Sequence, residues 1–165
     1  MNATTRLMIA ASVVVALGAC AKKTKPVEEP AQTPPPAVAQ PTDDGRYDPS
    51  DLDTDSCLRQ RSVYFDFDMD LVKPEFQAIM ACHAKYLRDR PEARITLEGN
   101  ADERGSREYN MGLGERRGNA VNAALQSSAG QLTVVSYGEE RPSCTESSED
   151  CWQKNRRVDI VYTAK

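Results

Sequence analysis

The apolar positions change rhythm along the chain, and each rhythm predicts an element. Leu7 to Leu17 is an apolar run of eleven residues, interrupted only by Ser12. Residues 21–54 hold almost no large apolar side chain. Ser62-Val63-Tyr64-Phe65 is short and β-prone, and the acidic stretch from Asp66 to Asp70 ends it. Phe76, Ile79, Met80, His83, Tyr86 and Leu87 recur at three- and four-residue spacing, the period of one helix face. Pro74 suits the first turn of that helix, where a missing N–H costs nothing, and Pro91 marks its exit. Ile95 and Leu97 alternate with Arg94, Thr96 and Glu98, as in a half-buried strand. A second helix is predicted from about Arg107 to Leu125, and a third strand over Thr133 to Tyr137. Val158, Ile160 and Tyr162 alternate along a fourth strand. The order β-α-β-α-β-β predicts an α+β sandwich, with helices packed on one face of a mixed four-stranded sheet.

Composition divides the chain into residues 1–19, 20–54 and 55–165. The second part is rich in Pro, Ala, Thr and charge, and seven of the ten prolines lie between Pro26 and Pro49. Such a segment cannot bury enough apolar surface to fold, so it is read as a tether. Polyproline II geometry gives it a reach of about 100 Å at full stretch. The third part is long enough for one stable domain. The formal net charge is −4. A mildly acidic chain has no general attraction to nucleic acid or to anionic lipid, so no nucleic-acid partner is expected.

The apolar run is too short to span a bilayer, which takes about 20 residues. With Arg6 before it, it fits the core of a secretory signal. It closes on Leu17-Gly18-Ala19-Cys20, which resembles the lipobox of bacterial lipoproteins. That resemblance implies cleavage after residue 19, a diacylglycerol on the Cys20 sulfur and acylation of the new amine. Ala21, where an Asp would signal retention in the inner membrane, implies the outer membrane. One acyl chain holds only marginally, and several on one residue make a stable anchor.

Five cysteines leave four if Cys20 carries lipid: Cys57, Cys82, Cys144 and Cys151. Export places them where disulfides persist. Four cysteines allow three connectivities. Cys144 and Cys151 bracket the polar loop Thr145 to Asp150, which suits a local bridge and leaves Cys57 for Cys82. Zinc is not expected, because no C-x-x-C occurs and His83 has no second histidine.

The chemistry concentrates between the second strand and the second helix. Glycines flank the run Gly99-Asn100-Ala101-Asp102-Glu103-Arg104-Gly105-Ser106, so the backbone can turn there and leave room for a ligand. On the following helix Leu113, Arg117, Val121 and Leu125 sit four apart. A guanidinium in an apolar stripe must meet a carboxylate or a ligand, and Asp102 is the nearest candidate. A structural ion pair, or a rotated helix with Arg117 in water, would explain the pattern equally well.

The run EGNADERGSREYNMGLGERRGNAV, Glu98 to Val121, resembles the signature of the OmpA-like C-terminal domain family, and within it of the peptidoglycan-associated lipoproteins. Val63 to Asp68 (VYFDFD), Val135 to Gly138 (VSYG) and Lys154 to Arg157 (KNRR) are similar to flanking pieces of that family. The likeness covers about residues 62–162. It implies that Asp102 and Arg117 clamp the diaminopimelate of the wall's peptide stem, the carboxylate taking the ammonium and the planar guanidinium taking the carboxylate. It also implies that Phe65, Asp66, Gly99, Ala101 and Leu113 line the pocket. Asn100 stands where the family pattern usually has His, and supplies hydrogen bonds without a charge. The implied setting is the periplasmic face of the outer membrane. The implied partners are peptidoglycan and, through the Tol-Pal system, TolB, a periplasmic propeller protein, with other Tol proteins. No cofactor is implied.

An enzyme is not expected. Asp102 and Glu103 are adjacent in sequence and need not flank one sugar, and no Ser-His-Asp or Cys-His constellation is evident. Asp66-x-Asp68-x-Asp70 has Leu71 and Gln77 where a calcium loop needs Gly and Glu. Lys154-Asn155-Arg156-Arg157 is read as a solvated strand end that helps hold the nearby acidic chain.

Overall fold

A computed structural model describes residues 45–126 and 131–165. The signal segment, Cys20 and the tether as far as residue 44 lie outside the described residues.

Four strands form one sheet: β1 (Ser62–Tyr64), β2 (Arg94–Asn100), β3 (Leu132–Gly138) and β4 (Arg157–Ala164). Their order is β1-β4-β2-β3. β2 and β3 run parallel, and α3 (Arg107–Leu125) joins them. β4 lies antiparallel between β1 and β2. The sheet is therefore mixed, as the alternation along the sequence requires.

The two-residue period of the strands decides which side chains meet the helices. Ile95 and Leu97 of β2, Val158 and Ile160 of β4 and Val63 of β1 are all buried. They meet Ile79, Met80 and Leu87 of α2 (Gln77–Asp89) and Val121 and Leu125 of α3. Each such burial contributes about 1.5–3 kcal/mol. Pro74 opens a single 3-10 turn, Pro74–Phe76, ahead of α2. Ser106 caps α3, its hydroxyl accepting from the Tyr109 N–H at 3.2 Å.

His83 lies on the apolar stripe of α2 and is fully buried. Its Nε2 faces the carbonyl of Gln60 at 3.0 Å and its Nδ1 faces the Tyr162 hydroxyl at 2.7 Å. A carbonyl can only accept, so Nε2 carries the proton and Nδ1 accepts from Tyr162.

Two expectations are corrected. The folded domain begins before residue 55. Leu52, in the short helix α1 (Asp51–Thr54), is fully buried, and Tyr47 packs on the same core. Proline-rich and polar neighbours hide that one leucine from a compositional reading. The stretch ahead of β4 also contains a helix, α4 (Glu149–Asn155), which overlaps the end of the segment expected to be loop. Seven residues are too few to show a helical period, although Glu149 and Asp150 in the first turn and Lys154 in the last complement the helix dipole.

Both disulfides join the expected pairs. Cys57–Cys82 spans 25 residues and ties the segment before β1 to α2. Cys144–Cys151 spans 7 and ties the preceding loop to α4. Loop-closure entropy predicts about 3.5 kcal/mol for the longer bridge and about 2.4 for the shorter. Cys57→Ser/Cys82→Ser is therefore expected to lower unfolding free energy by roughly 3 kcal/mol in urea melts; a loss under 1 kcal/mol would show that the core alone fastens α2.

Burial lowers the His83 pKa from its ordinary 6.5, the Gln60 carbonyl opposing this and Arg61 reinforcing it. The unfolded chain therefore takes up the proton first. Stability from the neutral ring is complete above about pH 6.5 and falls as pH drops toward the folded value. Lowering pH from 7.5 to 5.5 is expected to lower stability, with a flatter dependence in His83→Gln. Equal pH dependence of the two melting temperatures would remove His83 as the cause.

Candidate functional site

Helix α3 approaches the sheet as closely as backbone allows. A Cβ on Gly99 would fall 1.9 Å from the Gly114 carbonyl oxygen, and one on Gly118 would fall 2.5 Å from Val134 Cγ1. The contact requires glycine on both sides. It fixes residues 101–106, the turn between β2 and α3, against the first turns of the helix. Gly99 thus belongs to the packing of α3 on β2.

The turn borders a cleft of about 190 Å³, lined by Phe67, Asp102, Arg104, Tyr109, Leu113 and Arg117 among others. That is below the roughly 300–1,000 Å³ of sites for drug-sized ligands. It suits the end of one side chain rather than a stretch of polysaccharide.

Asp102 is the charge centre, with 4% of its surface exposed. Oδ1 accepts from the Arg104 backbone N–H at 3.1 Å and from Arg104 Nε at 3.2 Å. Oδ2 accepts from Arg104 Nη2 at 2.7 Å and from Arg156 Nη1 at 3.2 Å. Burial by itself would raise the carboxyl pKa. The hydrogen bonds from Arg104 and Arg156 outweigh it and hold the group below the usual carboxylate range. Asp102 is ionised at neutral pH.

Arg117 is fully buried beneath the cleft. Its Nε donates to the Met69 carbonyl at 2.8 Å, Nη1 to that of Asn100 at 2.9 Å and Nη2 to that of Asp66 at 3.2 Å. The Phe65 ring lies 5.3 Å from the guanidinium carbon. The expected ion pair with Asp102 is replaced by three carbonyl dipoles. Those carbonyls come from chain segments remote in sequence, which no local spacing could reveal. Burial lowers the guanidinium pKa to about 10, against the pull of Asp102, so the group stays charged at pH 7.

Asp102, Leu113 and Arg117 thus share the cleft. Phe65 is buried behind Arg117, and Ala101 is buried where its N–H donates to Gly138 O at 2.7 Å. Asn100 offers its carbonyl to Arg117, while its Nδ2 donates to Glu98 O at 3.0 Å. Asp66 gives its carbonyl to Arg117, and its carboxylate pairs with Lys73 at 2.7 Å. These four, like Gly99, support the cleft without lining it.

Arg156 corrects the reading of the KNRR cluster as a solvated strand end. It is 2% exposed and also donates to Phe65 O at 3.1 Å and to Glu149 Oε1 at 2.6 Å. Asn110 was also illegible as a site residue. It is buried, and its Nδ2 donates to the carbonyls of Asp102 at 3.1 Å and Arg104 at 3.3 Å and to the Glu139 carboxylate. An asparagine one turn into a helix after a ligand-like loop is the signal that could have found it.

Residues 64–156 match the OmpA family. A peptidoglycan-associated lipoprotein of Pseudomonas putida is 48% identical over 113 residues, covering 66% of this chain and 68% of its own. One from Haemophilus influenzae is 37% identical over 98% of this chain and 100% of its own. The crystal structure of the peptidoglycan-associated lipoprotein from Burkholderia pseudomallei superposes with a TM-score of 0.68 at 44% identity, over 70% of this chain and all of that one. The C-terminal domain of Helicobacter pylori MotB, at 22% identity and a TM-score of 0.57, shares the fold over 63% of this chain and 84% of its own.

Arg156→Met keeps the bulk and removes a buried partner of Asp102. It is expected to cost about 3 kcal/mol of stability in urea melts. A loss below 0.5 kcal/mol, the level of surface substitutions, would show that Arg104 alone suffices to neutralise the carboxylate.

Proposed function

The chain belongs to the OmpA family and, within it, to the peptidoglycan-associated lipoproteins, and on that premise we propose that it anchors the outer membrane to the cell wall by gripping the diaminopimelate of the peptide stem. Its relatives are named for association with peptidoglycan rather than for a reaction, and it is a binding protein, not an enzyme. Lipid on Cys20 holds it to the outer membrane, and residues 21–44 give the domain reach toward the wall.

One observation carries the proposal. A buried ionised carboxylate and a buried guanidinium border the same small cleft without bonding each other. The free end of diaminopimelate bears an ammonium and a carboxylate, and the cleft offers the complement of each. Asp102 accepts from the ammonium. Arg117 supplies N–H groups beyond the three engaged by carbonyls, in a planar fork that fits a carboxylate. Both partners come from rigid elements, so little ordering entropy opposes binding. The Tol-Pal role rests on family membership: TolB takes a surface overlapping this cleft, and wall and partner binding exclude each other.

Titration of the full-length protein in detergent with a diaminopimelate-containing stem peptide is expected to saturate. Asp102→Asn and Arg117→Lys, with folding checked by circular dichroism, are expected to weaken binding by about 2–5 kcal/mol. Unaltered affinity in both variants would place the ligand elsewhere. In the same titration, TolB is expected to displace the peptide. A ternary complex of undiminished affinity would sink the exclusion.

A further inference from the structure

Asp102 already has a cation in its grip. Its two oxygens accept four hydrogen bonds, about the capacity of a carboxylate, and three of the four come from Arg104. The ligand's ammonium therefore cannot simply add to Asp102. Something must leave.

The two arginines on Asp102 differ in how freely they can go. Arg156 is 3% exposed in its side chain and tied also to Phe65 O and Glu149. Arg104 is 30% exposed in its side chain and lies at the rim of the cleft. Its guanidinium carbon sits 4.0 Å from the Phe67 ring centroid on one side and 4.1 Å from that of Trp152 on the other. Nη1 is 3.5 Å from Glu149 Oε2. Arg104 can therefore leave Asp102, shifting off the Trp152 face, while Glu149 remains as a second carboxylate. Trp152 is itself tied to the turn, its Nε1 donating to Glu103 Oε1 at 3.0 Å.

We propose that Arg104 is a specificity-determining self-ligand: its side chain occupies Asp102 in the free protein, and a stem ligand enters only by exchanging its own ammonium for the Arg104 guanidinium. This rests on the reading of the cleft as a diaminopimelate site. The consequence is selectivity. A neutral or acidic side chain cannot replace that guanidinium on a buried carboxylate, because it would leave the charge with Arg156 as its one remaining cation. An ammonium can. The released guanidinium remains at the rim, where it faces the acidic stem.

Trp152 is the sole tryptophan of the chain, so its emission reports the stacked guanidinium directly. The full-length protein in detergent, Arg104→Gln and Arg104→Lys are titrated with the diaminopimelate stem peptide, by calorimetry and by Trp152 emission. Circular dichroism checks that both variants fold. The parent is expected to bind with a saturable emission change that Arg104→Gln lacks. Arg104→Gln is expected to bind about three- to tenfold more tightly, because nothing has to be displaced, and Arg104→Lys, without the fork, to fall between. Weaker or equal affinity in Arg104→Gln overturns the proposal and leaves diaminopimelate binding intact. Calorimetric binding by the parent without an emission change overturns it too. Binding by Arg104→Gln alone would support the self-ligand in its strongest form. Binding by none of the three removes the diaminopimelate reading and this proposal with it.

Discussion

A carboxylate almost entirely out of water must be neutralised by charges that the fold brings to it, and Asp102 is the carboxylate around which this domain closes. Ionised and 4% exposed, it would be prohibitively costly alone. Arg156 arrives from the junction of α4 and β4, and Arg104 from the turn itself. Through Arg156 the same interaction gathers the Phe65 carbonyl at the end of β1 and Glu149 at the start of α4. The first strand, the ligand-like turn and the last helix are thereby held to one group.

Close packing makes the arrangement possible. Gly99 and Gly114 bring α3 against β2 with no side chain between, which places Arg117 under the turn rather than beside it. There the guanidinium is held by the carbonyls of Asp66, Met69 and Asn100. Carbonyl dipoles hold it in place without neutralising it. A charge-satisfied carboxylate and a dipole-solvated guanidinium can therefore border one cleft as independent groups. A direct Asp102–Arg117 bridge would have spent each on the other.

The rigidity of the cleft comes from its own elements. The cleft is built from a strand end, a capped turn and a helix.

The sequence by itself determined the elements whose signals are local. The period of apolar residues marked the four strands and the two long helices, with α3 running from Arg107 to Leu125 as expected. Export chemistry and spacing suggested the cysteine pairs that the structure joins, and the run from Glu98 to Val121 was enough for the family. These signals are legible because backbone geometry imposes a period within a few residues. α4 and Leu52 escaped because seven residues, or one leucine among prolines, carry no period. Only the tertiary structure decided the partners of the charged groups. Arg117 was the arginine expected opposite Asp102, yet Arg104 and Arg156 bond it, the latter from 54 residues along the chain. Coulomb attraction has no sequence period. Which guanidinium meets the carboxylate, and which meets carbonyls instead, follows from strand order and from how closely α3 sits on the sheet.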